Sequence, residues 1–153
     1  MRAHRFALAA AALALLALAA CGRHVYAPQT REVTLTAVPL LTRELQSVYP
    51  FLSQDFAAGG VLEGKEIYAF VPDTVTVYQG DTVHFTLVNP EDDEHKFVLE
   101  NLVVDLPGQS VQRASFAATH PGVYSFSCVM PTHIPYMHGQ LVVLPAALGA
   151  ASE

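Results

Sequence analysis

The segment Gly122-Val-Tyr-Ser-Phe-Ser-Cys128-Val-Met-Pro-Thr-His133-Ile-Pro-Tyr-Met137-His138-Gly139-Gln-Leu-Val-Val-Leu144 decides how the chain is read. In its first part Tyr124, Phe126 and Cys128 fall on one face of an extended run, and Val123, Ser125 and Ser127 on the other. A strand therefore ends in a thiol on its aromatic, inward side. The last part, from Gly139, is a second apolar run. The loop between them offers an imidazole at His133 and a thioether at Met137, both within ten residues of the thiol.

Upstream, short runs rich in Val, Thr, Tyr and Phe recur at residues 66–71, 74–78, 82–88, 96–104 and 110–116. Gly80-Asp81, Asn89-Pro90, Pro107-Gly108 and Pro121-Gly122 separate runs at turn signals. This pattern predicts an all-β domain, a Greek-key antiparallel β-sandwich or barrel. A further alternating segment, Glu32-Val33-Thr34-Leu35-Thr36, suits a first strand. Leu41, Leu45, Val48 and Leu52 recur at helical spacing, interrupted by Pro50, and predict a short N-terminal helical insertion that packs against the sheet or the lipid surface.

The 153 residues suffice for one domain. Arg2 and Arg5 followed by the 15 apolar residues from Phe6 to Ala20 read as an export signal, too short for the roughly 20 residues of a membrane-spanning helix. Leu18-Ala19-Ala20-Cys21 is similar to the lipobox of bacterial lipoproteins, which implies cleavage before Cys21 and lipid on that residue. The expected organisation is a signal over 1–20, a lipid-anchored tether over 21–31, the domain over 32–145 with its most recognisable part at 64–145, and a tail over 146–153. The expected location is the extracytoplasmic side of a bacterial membrane. Loss of Arg2 and Arg5 takes the formal net charge from −6 to −8, and without a basic stripe nucleic acid is excluded as a partner.

With Cys21 assigned to lipid, Cys128 has no partner for an internal disulfide, so a metal-ligand role becomes the reading that uses it. Thiolate, imidazole and thioether are the donors copper favours, and two imidazoles with one thiolate and a distant axial Met form the arrangement of electron-transfer copper. His95 is the candidate for the second imidazole, since it follows the loop Asn89-Pro-Glu-Asp-Asp-Glu94 and opens the run Lys96-Phe-Val-Leu. His138 is an alternative ligand beside Met137. His84 shares a strand face with Thr86 and reads as solvent-facing, His120 as a turn residue, His24 as part of the tether, and Met130 as loop packing.

These residues resemble the cupredoxins, a family of small copper-binding sandwiches. The spacing Cys128-x4-His133-x3-Met137 is like that of azurin-type members, and Gly122-Val-Tyr-Ser-Phe-Ser, Gly139-Gln-Leu-Val-Val and His95-Lys-Phe-Val-Leu flank it accordingly. The resemblance implies one copper ion, with His95, Cys128 and His133 as equatorial ligands and Met137 as the axial one. Lys96 stands where azurin- and plastocyanin-type members commonly carry Asn, which leaves open how the thiolate is hydrogen-bonded. A similarity to the binuclear copper domain of cytochrome oxidase subunit II stops at Thr132, which occupies the place of a second cysteine.

The expected role is a membrane-anchored electron carrier rather than an enzyme. Its expected partners are redox proteins such as a cytochrome or a terminal oxidase or reductase, met through the acidic run Glu91, Asp92, Asp93 and Glu94. A copper chaperone or copper-storage lipoprotein is the alternative.

Overall fold

The computed structural model describes residues 26–146. The signal, Cys21, the first part of the tether and the end of the tail lie outside the described residues. Among the described residues no helix is long and apolar enough to cross a membrane.

Among the described residues nine strands form two facing sheets: β1 (Thr30–Leu41), β2 (Ile67–Val71), β3 (Thr74–Tyr78), β4 (Thr82–Asn89), β5 (His95–Leu99), β6 (Leu102–Leu106), β7 (Ser110–Ala117), β8 (Gly122–Cys128) and β9 (His138–Leu144). One sheet has the order β2-β1-β4-β7 and the other β3-β9-β8-β5-β6, so the chain crosses between layers after β2, β3, β4, β6 and β7. The all-β sandwich is as expected, with one refinement of direction. Both sheets are mixed rather than purely antiparallel, because β1 runs parallel to β4 and β3 parallel to β9. Alternation of polar and apolar residues specifies which face is buried, but not the direction of the neighbouring strand.

A second difference lies at 96–104, expected as one strand. The chain reverses at Glu100-Asn101, with Glu100 at φ 52, and pairs β5 with β6 from His95↔Leu106 to Leu99↔Leu102. The reversal has neither Gly nor Pro, so it carries none of the usual punctuation.

The core is aromatic. Phe70 and Phe85 from one sheet meet Phe97 and Phe126 from the other, with ring centroids 5.5 to 5.8 Å apart. That spacing suits edge-to-face and tilted packing between two layers. The helical insertion is shorter than the apolar spacing suggests: a 3-10 turn at Arg43–Ser47 and one helical turn, α1 (Leu52–Phe56), divided at Pro50. Leu52, Phe56 and Leu62 make a small core of their own against Leu41, Leu45 and Ile67.

Candidate metal centre

Strand register brings the first two donors together. Phe97 of β5 pairs with Cys128 of β8, and His95 lies one inward position beyond Phe97, so both reach the same end of the sandwich. The loop after Cys128 folds back on itself. His133 N–H donates to Met130 O at 2.9 Å, Met137 N–H to His133 O at 3.2 Å, and Cys128 N–H to Met137 O at 2.9 Å. These bonds return His133 and Met137 to the thiol.

All four side chains are buried, at 3% exposure or less. His95 Nδ1 and His133 Nδ1 are 3.1 Å apart, and Cys128 Sγ lies 3.9 Å from the first and 3.6 Å from the second. A triangle of these sides has a centre about 2.1 Å from each corner, within the roughly 2.0–2.3 Å span of nitrogen and sulfur bonds to a first-row metal. The donor set, two imidazoles and a thiol with a buried thioether on the same loop, fits a single copper ion.

Electrostatics prepare the donors unequally. Burial and the neighbouring His133 push the His95 pKa down to about 4, and burial lowers that of His133, so both imidazoles stand neutral with lone pairs free. Burial pushes the Cys128 thiol up, opposed by backbone N–H groups of Lys96 and Met130. The Lys96 N–H lies 3.4 Å from Sγ. Its side chain turns instead to Asp105 on β6, at 2.9 Å. The thiolate donor at this position is therefore main chain, and the departure from Asn does not remove it.

Other candidates fall away from the centre. His138 is exposed, with Nδ1 3.0 Å from Pro135 O. His84 is exposed and meets Glu32 at 2.9 Å, as expected for a solvent-facing residue. Met130 is half-buried against the core. The acidic run divides: Asp92 and Glu94 face solvent, while Asp93 turns inward and accepts a hydrogen bond from Tyr68 Oη.

Two features escape the sequence reading. The Tyr68 ring packs 4.8 Å from both imidazoles. Glu66 stands with Asp93 beside His133, their donor atoms all within 4.8 Å of one another. The segment carrying Glu66 is fastened to the copper loop by Glu66 N–H to Thr132 O at 3.1 Å and Lys65 Nζ to Pro131 O at 2.6 Å.

Among solved structures, the chain is similar to a copper-containing nitrite reductase from Thermus scotoductus SA-01, at 23% identity and TM-score 0.53, covering 76% of this chain and 28% of that one. It is also similar to the copper nitrite reductase of Nitrosomonas europaea, at 21% identity and TM-score 0.56, covering 81% and 45%. The multicopper oxidase mgLAC matches at 14% identity and TM-score 0.53, covering 76% and 39%. This chain thus spans less than half of each of those chains, and what it shares with them is the fold. No curated protein sequence matches it. A family model described as a cupredoxin-like domain matches residues 59–143, from the end of the helical insertion into the last strand. That match covers more than half of the sequence and contains every donor of the buried triangle, so the chain belongs to the cupredoxin-like domain family.

Proposed function

We propose that this protein is a mononuclear copper protein that carries single electrons outside the cytoplasm, held to a bacterial membrane by lipid on Cys21. The observation that carries the reading is the buried triangle of His95 Nδ1, His133 Nδ1 and Cys128 Sγ. Copper held there would supply one-electron chemistry through its two oxidation states. His95, Cys128 and His133 would hold it, and Met137, buried on the same loop, would offer a fourth, thioether donor.

The chain contributes constraint and shielding. The backbone bonds of the copper loop fix His133 and Met137 relative to Cys128, so the donors keep one arrangement and little rearrangement accompanies a change of charge. Burial keeps water from the thiolate. The same burial favours a carrier over a chaperone, whose ligands must exchange metal with a partner. Asp92 and Glu94, exposed beside the centre, supply negative charge that would attract a basic redox partner.

Addition of Cu(II) is expected to give an intense thiolate-to-copper band that bleaches reversibly on reduction. Cys128→Ser is expected to abolish the band. A colourless protein that binds only Cu(I) would instead support the chaperone.

A further inference from the structure

We propose that Tyr68 is the positioning residue of the metal centre: its ring, packed against both imidazoles, fixes the orientation of His95 in place of the hydrogen bond that a metal-bound histidine ordinarily makes. The proposal rests on the reading of His95 and His133 as copper ligands.

A histidine that gives one ring nitrogen to a metal carries its proton on the other. That N–H is almost always donated to a carboxylate, a carbonyl or a water, which holds the ring at one angle. His133 and Cys128 lie on the Nδ1 side of His95, so Nε2 is the nitrogen left for this bond. It is buried, and among the described residues it has no hydrogen-bond partner. The orientation of the His95 ring is therefore set by what packs against it.

Tyr68 supplies that packing. It sits in β2, in the sheet opposite the one that carries His95 and Cys128, and is 2% exposed. Its ring centroid lies 4.8 Å from that of His95, edge to face at 69°, and 4.8 Å from that of His133, tilted at 56°. The two imidazoles are themselves 4.8 Å apart at 49°. One phenol ring thus completes an equal-sided triangle with the two imidazoles, and in a close-packed interior it opposes a turn of either. The phenol is fixed in turn. Its residue pairs with Pro39 of β1, and its hydroxyl donates to Asp93 Oδ2, two residues before His95. Asn89 Nδ2 holds the same loop by donating to Asp93 O at 2.6 Å. The opposite sheet and the loop that delivers His95 are in this way joined through Tyr68.

The test compares Tyr68→Phe, which keeps the ring, with Tyr68→Leu, which removes it, in copper-loaded protein. Tyr68→Phe is expected to retain the parent's copper resonance and imidazole-nitrogen couplings in electron paramagnetic resonance. Tyr68→Leu is expected to change both, and to weaken copper by the roughly ten- to hundredfold that loss of an outer partner of a metal ligand costs. A purely structural role would lower the denaturation midpoint and leave the resonance as it was, so a folded Tyr68→Leu with the parent's resonance would overturn the proposal. A second measurement needs no variant and decides if Tyr68→Leu does not fold. In the parent loaded with Zn(II), which is diamagnetic, the His95 Nε2–H proton is expected to lack the downfield shift of a hydrogen-bonded imidazole in nuclear magnetic resonance. A hydrogen-bonded shift there sinks the proposal, because an acceptor, water included, would then orient the ring. Absence of the thiolate-to-copper band from the parent counts against the copper reading instead, and the zinc-loaded protein then decides on Tyr68 alone.

Discussion

Cys128 shows how much of the centre rests on main chain rather than on side-chain identity. Its sulfur receives the main-chain N–H of Lys96, a donor that does not depend on the side chain at that position. Lys96→Asn is therefore expected to leave the energy of the thiolate-to-copper band almost unchanged in a visible spectrum. It should also cost little stability in urea, since the pair it removes with Asp105 is exposed and screened. A large shift of the band would mean that the side chain acts on the thiolate after all. The spacing of Cys128, His133 and Met137 was legible in the sequence because one loop carries all three, and His95 because a strand start follows a loop. Glu66 was not legible. It stands 27 positions before Asp93, in a segment with no ligand spacing, and only folding of the insertion against Pro131 and Thr132 sets it beside His133.

At the scale of elements, the copper loop depends on how closely β9 approaches the strands around it. A Cβ on Gly139 would meet Asp73 O and the Phe126 ring, each at 2.4 Å, so the start of β9 can pass behind the Cys128 strand only with glycine. Gly139→Ala is expected to destabilise the fold by about 1–3 kcal/mol, the range of an overpacked core. Chemical denaturation would read this as a lower midpoint, and the band should broaden as the His133–Met137 loop loses its fixed seat. A substitution at Gly64 meets no neighbouring atom but inherits a φ of 65, which separates backbone strain from collision. Strand positions were largely legible from alternation, as in β8, where Phe126 and Cys128 are buried and Val123 and Ser125 exposed. The turn at Glu100-Asn101 and the parallel pairing of β1 with β4 were not. The first lacks Gly and Pro, and the second is a long-range choice between partners that the same pattern would satisfy in either direction.

Across the whole molecule, the copper centre and the start of the described chain sit at opposite ends of β4. Asn89, at one end, donates from Nδ2 to Asp93 O and Pro107 O, which anchors the loop leading to His95. At the other end, Asp81 accepts from Tyr26 Oη at 2.6 Å, Gln29 N–H at 2.8 Å, Arg31 Nε at 2.9 Å and Tyr78 N–H at 3.1 Å. The eight residues of β4 put about 23 Å between these clusters at strand rise. Part of the segment that reads as a tether is thus fastened to the sandwich. Burial opposes ionisation of Asp81, but its hydrogen bonds prevail and hold the carboxyl well below the usual carboxylate range. The sign follows: a folded pKa below the unfolded value, about 3.9, gives stability that is fully present above that pH. It is lost as pH falls through the folded pKa. Asp81→Asn replaces one acceptor oxygen by a donor facing Arg31 and Tyr78, and is expected to cost at least about 1.5 kcal/mol at pH 7, the lower figure for a hydrogen bond to a charged group. Urea unfolding of both proteins from pH 7 to pH 3 should show a gap that is constant above pH 4 and narrows below it. The copper band of the variant should match the parent's at pH 7. A changed band would mean that the two ends of the sandwich are coupled through β4, against the separation that the structure describes.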